Sequence, residues 1–214
     1  MLKIIFITLS AVICLLAVYL LNQARLYKYR QRLINTYTFP KKLSDEVANK
    51  YPHLDEQQIQ SVIKGLREYF HICLDANKKF VAMPSQVVDV AWHEFILFTK
   101  EYNHFCKKAF GRFLHHTPAE AMEKPTLAQD GIKNTWKIAC KRERINPKTP
   151  TALPTLFALD TLLKIEDGFK YSVNCSIKGS NQYCASHIGC GSGSGCGGSS
   201  DGGGSSCGGG CGGD

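Results

Sequence analysis

Pro84-Ser85-Gln86-Val87-Val88-Asp89-Val90-Ala91-Trp92-His93-Glu94-Phe95 runs on through Tyr102 and Cys106 to Gly111 and then His115-His116. The reading of this stretch decides the fold. Pro84 and Ser85 open a long helix, with Ser85 as its N-cap, and Gly111 closes it. At about 100° per residue, Val88, Ala91, Phe95, Phe98, Tyr102, Phe105, Cys106 and Ala109 share one broad face. Asp89, His93 and Ile96 fall on the other side, with Trp92 between the two.

The flanking sequence is helical as well. Ile59, Val62, Ile63, Leu66, Phe70 and Cys73 recur every three or four residues between Leu54 and Asn77, behind Asp55 and Glu56 at the positive helix end. Thr117-Pro118-Ala119-Glu120 combines a capping box with proline at the first helical position. Leu127, Ile132, Trp136 and Ala139 line one side of the segment Thr126 to Arg144, and Pro147 follows it. Pro154 to Ile165 is short and strongly apolar, and Phe169 to Val173 is an extended strap. Trp136, Phe157 and Phe169 read as core aromatics. The expected fold is all-α, a five-helix bundle of irregular topology behind one N-terminal transmembrane helix.

Four regions separate by composition. Ile4 to Leu21 is apolar apart from Thr8, Ser10 and Tyr19, and as a helix it spans roughly 27 Å, close to a bilayer's hydrocarbon core. Residues 1–22 therefore read as a membrane anchor. A cleaved signal peptide is the competing reading, disfavoured by the length of the apolar run and the poor cleavage site at Leu20-Leu21-Asn22-Gln23-Ala24. Residues 23–43 are basic and juxtamembrane, 44–178 carry the helical domain, and 179–214 are Gly/Ser/Cys-rich and expected to be disordered. Arg25, Lys28, Arg30 and Arg32 follow the anchor whereas Lys3 precedes it, so the positive-inside rule predicts the N-terminus outside and the domain in the cytoplasm.

The chain carries a formal charge of +8. With an anchor present, that balance points to the lipid bilayer as a partner, with anionic headgroups favoured, and not to nucleic acid. Lys141-Arg142-Glu143-Arg144 reads as a solvated helix end. Ten cysteines in a reducing compartment suggest thiols or metal ligands before a disulfide framework.

Candidate chemistry sits in two places. Asp89, one helical turn before His93, can hold one imidazole nitrogen and leave the other as ligand or base. The alternative is an Asp–His bond that locks packed helices. His115 and His116 lie beyond the Gly111 turn, and adjacent histidines diverge, so at most one joins His93. Cys106 is thirteen residues from His93, about 140° around a straight helix, and reads as a small core residue. In the tail, Cys184, Cys190, Cys196, Cys207 and Cys211 lack the C-x-x-C spacing of structural zinc sites. A flexible thiolate chain still binds zinc or another soft ion, and a solubilising tail or a lipidated one are its alternatives. Leu97 occupies the place of the second histidine in H-E-x-x-H, and no G-x-S-x-G, P-loop or strand-linked G-x-G-x-x-G is present.

With these residues in view, the chain resembles a group of bacterial proteins described as glycine-rich domain-containing-protein-like. The likeness rests on M-P-S-x-x-V-D-x-A-W-H-E-F-I-L-F-T at Met83–Thr99, on Phe105-Cys106 and Phe110 to Pro118, on Thr135-Trp136 with Ala139-Cys140, and on Leu153-Pro154 with Leu156 to Asp160. A more distant similarity reaches the plant glycine-rich domain proteins, with their V-D-x-x-W-H-x-H pattern. Val88-Asp89, Trp92-His93, Gly111 and His116 match it, while Phe95 stands where the second histidine belongs. The resemblance implies a helical domain, a bacterial inner-membrane setting and no defined activity.

The function expected from the sequence is a non-enzymatic binding or scaffold module with a metal or thiol-redox role. Asp89, His93, His115 and His116, or the tail thiols, are its candidate ligands. The rival is a metal- or Cys/His-dependent enzyme built on Asp89 and His93, and a third class is an adaptor for a protein partner at the membrane.

Overall fold

The structure, a computed structural model, describes residues 1–116, 125–173 and 183–184. Within them the chain is all-α: α1 (Leu2–Thr36), α2 (Lys41–Lys50), α3 (Glu56–Ala76), α4 (Gln86–Leu97), α5 (Thr99–Phe110), α6 (Pro125–Glu143) and α7 (Thr155–Leu162). Two short strands, β1 (Tyr171–Ser172) and β2 (Tyr183–Cys184), pair in parallel, Tyr171 with Tyr183 and Ser172 with Cys184. The capping box at Thr117–Glu120 and the tail beyond Cys184 lie outside the described residues.

α3 is the hub. Asp55 caps it by accepting from the Gln58 backbone N–H at 2.8 Å, while Gln58 returns the bond to the Asp55 N–H at 2.9 Å. Val62, Leu66, Phe70 and Cys73 are buried along it, as their spacing requires. Phe70 packs on Phe39, Trp92, Phe95 and Phe105, with ring centroids 4.9–6.5 Å apart. Gly65 lets α4 and α7 approach: a Cβ there would stand 2.9 Å from Val88 Cγ2 and 3.0 Å from Leu159 Cδ2. Trp136 and Phe157 are fully buried, and Phe169 packs against the core.

Three sequence expectations need correction. The helix from Ser85 to Phe110 is not continuous but breaks at Phe98, whose ψ of 60° leaves the helical region. On a straight helix Trp92 and Tyr102 would lie about 15 Å apart. The break folds α5 back so that Trp92 Nε1 donates to Tyr102 Oη at 3.1 Å, and Phe95 packs on Tyr102 and Phe105 with centroids 5.2 and 5.4 Å away. One aromatic face is thereby buried against itself and α3. Behind the N-terminal helix the helix count also rises from five to six among the described residues, partly because of this break and partly because Leu43 and Val47 draw Lys41–Lys50 into a core helix. Finally, Arg142 is no solvated helix end. It forms ion pairs with Glu68 and, at 2.9 Å, with Asp75.

The N-terminal helix is long and apolar enough to cross a membrane, with a mean hydropathy of 2.9 over its most apolar 18 residues. It continues without a break to Thr36, and its C-terminal half packs on the domain. Ile34 is fully buried. Arg67 donates to the carbonyls of Ile34 and, at 2.9 Å, Tyr37, so two of the carbonyls at the helix end are satisfied. Tyr27 Oη donates to Asp75 Oδ1 at 2.5 Å, and Asn35 Oδ1 meets His71 Nε2 at 2.7 Å. Gly111 ends α5 with φ +73°, and an added Cβ there would lie 2.6 Å from the Arg30 guanidinium.

One buried carboxylate ties the C-terminal elements to the middle of the chain. Asp160, on α7, accepts from Ser85 Oγ at 2.6 Å, from the backbone N–H of Gln86 at 2.7 Å and of Val87 at 3.2 Å, and from the Phe169 N–H at 2.9 Å. It thus caps the α4 N-terminus in trans. Asp160→Ala leaves four buried donors without this acceptor and should cost about 3 kcal/mol or more. Thermal or urea unfolding checks this, and a loss below about 1 kcal/mol would mean that the cap is dispensable.

Candidate metal centre

Asp89 and His93 lie one turn apart on α4, and Ser85 sets that helix in register by accepting from the Val88 N–H at 3.4 Å. His93 Nε2 is 3.6 Å from Asp89 Oδ2. The third member arrives from the loop after α5: His116 Nδ1 is 3.9 Å from Asp89 Oδ1. The two imidazole rings stand edge to face with centroids 4.4 Å apart. One ligand atom from each of Asp89, His93 and His116 lies within 4.8 Å of the others.

His116 is placed by a relay of hydrogen bonds that the sequence did not announce. Trp92 Nε1 donates to Tyr102 Oη, and Tyr102 Oη donates to the Leu114 carbonyl at 2.7 Å, two residues before His116. Trp92 then flanks the His116 ring, with centroids 4.3 Å apart. The residue types gave one faint signal, a Trp and a Tyr whose polar atoms need partners once buried. The break at Phe98 that brings them together was not readable.

His115 does not join the group. It is exposed and packs on the Phe113 ring, as expected for one of two adjacent histidines. Cys106 is fully buried in the core and is not one of the converging donors. Of the tail cysteines, Cys184 belongs to β2 by its backbone, while Cys190, Cys196, Cys207 and Cys211 lie outside the described residues.

Burial shifts two of the three residues in opposite directions. Burial pushes the Asp89 carboxyl up to about 6, with His93 and Lys50 pulling it back and Asp160 adding to the rise. Burial, with His93 adding to it, brings the His116 imidazole down to about 4. At neutral pH Asp89 is therefore ionised and His116 neutral, the forms in which a carboxylate and an imidazole bind a cation. Asp89 Oδ1 and His116 Nε2 are both buried without a hydrogen-bond partner. A divalent ion contacting Asp89 would satisfy that oxygen. Ligand bonds of about 2.0–2.2 Å would draw the three donors together by rotamer adjustments. His93 keeps 49% of its side chain exposed, against 14% for His116 and 20% for Asp89. It opens on a groove of about 500 Å³ walled by Ile96, Leu97, Tyr102, Phe113 and Leu114. The residues present therefore fit a cation held by two imidazoles and one carboxylate, and two of the three, His93 and His116, line the groove.

Tyr102→Phe removes the hydroxyl that links Trp92 to Leu114 and leaves two buried groups unpaired. It should cost about 1–3 kcal/mol of stability. In chelator-treated protein it should also move the His116 titration, followed by NMR, upward from about 4 as the loop loosens toward solvent. An unchanged His116 titration would show that another contact places the ring.

No curated protein and no solved structure matches the chain. A family model described as UCP032817-like matches residues 29–189, which covers the last eight residues of α1, all of α2 to β2, and Asp89, His93 and His116. The chain belongs to the UCP032817-like family.

Proposed function

We propose that this chain is a membrane-tethered metal-binding module in which Asp89, His93 and His116 hold one zinc-class divalent cation. The observation that carries the reading is the convergence of three donors around a buried carboxylate oxygen that has no other partner. Two imidazoles and one carboxylate suit zinc and its neighbours among the first-row metals. The kinship with glycine-rich domain proteins belongs to the same reading. Phe95, in the place of that pattern's second histidine, is fully buried among Tyr37, Phe39, Phe70 and Phe105, so position 95 faces the core and His116 supplies the second imidazole.

One observation favours the enzymatic alternative as a second reading: the histidine pair opens on a groove and is not sealed. A cation with free positions there would activate a bound water, and His93, the most exposed donor, would border the incoming group. For the anchor, the reading is N-terminus out and domain in the cytoplasm. The unbroken run of α1 into the folded domain supports retention of the helix over its cleavage, and the cations after Leu21 support the orientation.

Full-length protein purified in detergent under reducing conditions should retain about one divalent ion per chain by elemental analysis. Asp89→Asn, His93→Ala and His116→Ala should each lower the affinity by about tenfold or more, while replacing the tail cysteines by serine leaves the ion in place. Metal that leaves with the tail thiols would assign binding to the tail and overturn the site.

The pH dependence has a definite sign. The folded-state value of Asp89 lies above its ordinary one, so ionising it costs stability as pH rises toward and through about 6, and a cation at the site offsets that cost. The rise in Tm on adding zinc should therefore be larger at pH 7.5 than at pH 5. An equal rise at both would place the ion elsewhere.

A further inference from the structure

The anchor reading sets one surface of the folded domain against the bilayer. α1 and α3 run antiparallel: Asn35 meets His71, and Tyr27 meets Asp75. Moving toward the membrane along α1 is thus moving toward the C-terminus of α3. Gln23 and Leu26 line a groove of about 580 Å³ together with Leu74, Asn77, Ile138 and Lys141. Gln23 lies two residues past Leu21, where the apolar run ends, which is about 3 Å along the helix axis. The end of α3 and the adjoining flank of α6 therefore stand where lipid headgroups begin, a layer roughly 5–8 Å deep on each side of a bilayer.

The side chains on this surface match that position. Lys78, Lys79, Lys137 and Lys141 are exposed on it, and the first three line an adjoining groove that shares Asp75, Asn77 and Ile138 with the first. Arg25 and Lys28 are exposed on α1 at the same level. The acidic groups facing them are already matched: Arg142 takes both Glu68 and Asp75, and the exposed Asp130 lies 4.0 Å from Lys133. Phe80, which follows Lys78 and Lys79, leaves 43% of its surface in solvent, and an aromatic ring beside cations is the composition of interfacial segments.

We propose that this face, formed by Lys78, Lys79 and Phe80 after α3 and by Lys137 and Lys141 on α6, binds the anionic headgroups of the bilayer that α1 enters. The domain lies on the membrane and does not swing from it. The proposal rests on the reading of α1 as an anchor.

The test uses the full-length chain in nanodiscs of phosphatidylcholine alone or mixed with phosphatidylglycerol. Phe80→Trp reports contact with lipids spin-labelled at the headgroup, because Trp92 and Trp136 are buried and give a constant background. Tyr19→Trp with bromine-labelled acyl chains reports whether α1 is inserted. Quenching at position 80 should be at least about twofold stronger in the anionic discs and should be lost at high salt. The joint reversal Lys78→Glu, Lys79→Glu, Lys137→Glu and Lys141→Glu should abolish the difference, with the circular-dichroism spectrum unchanged since all four side chains are exposed. Equal quenching in both lipids, or no quenching at position 80 while position 19 is quenched, overturns the proposal and leaves the anchor standing. No quenching at position 19 overturns the anchor itself and the proposal with it.

Discussion

The Asp160 carboxylate is the constraint on which the rest of the structure depends. A helix begins with N–H groups that have no partner in the helix, and α4 begins in the interior, where water cannot serve them. Ser85 Oγ lies 3.4 Å from the Val88 N–H, and Asp160 reaches across from α7 to the Gln86 and Val87 N–H groups and to Ser85 itself. Its bond to Phe169 also draws in the segment that leads to β1. The start of α4 is thereby fixed in position and rotation, and with it the direction in which Asp89 and His93 leave the helix one turn later.

Two carboxylates, Asp160 buried and Asp89 half-buried, stand near one helix N-terminus, and they are treated differently. Asp160 has four donors; Asp89 has an oxygen with none and a histidine nitrogen at 3.6 Å on the other. Burial pushes both upward, but only Asp160 has the hydrogen bonds that oppose it. A carboxylate kept for packing alone is satisfied by its surroundings, as Asp160 is. The shortfall at Asp89, beside His116, is the observation on which the proposed cation site rests. The histidine pair also borders a groove, so the proposed ion would have a route in and positions for water or ligand.

Much of the fold was legible because it follows from periodicity and punctuation. The α3 stripe, the Ser85 cap and the glycine at position 111 each rest on a local rule, and each appears where those rules place it. The break at Phe98 was not legible, because no glycine or proline marks it. It arises from the tertiary gain of folding one aromatic face onto itself, which placed Tyr102 against Trp92. α2 was missed because its apolar contribution is only Leu43 and Val47 among charged residues. Asp89 and His93 were readable from i, i+4 spacing. That His116 and not His115 would complete the group depends on the Leu114 carbonyl, a long-range contact no spacing encodes. Asp160 stood in a quoted segment with no role, since three of its four donors lie more than seventy residues away.

The junction between α1 and the domain has the character of an interior and not of a linker. A flexible tether would show polar, unpaired backbone and few buried groups. Here Ile34 is fully enclosed, Arg67 reaches two carbonyls at the helix end, and Arg142 sits between Glu68 and Asp75 while Tyr27 holds the same Asp75. Guanidinium groups so placed lose hydration that only paired geometry restores, so the contact is favourable in one arrangement and costly in any half-open one. α3, which receives these contacts, is also the helix whose Phe70 and Gly65 seat α4. Orientation is therefore passed from the N-terminal helix to the Asp89, His93 and His116 group through one packed element.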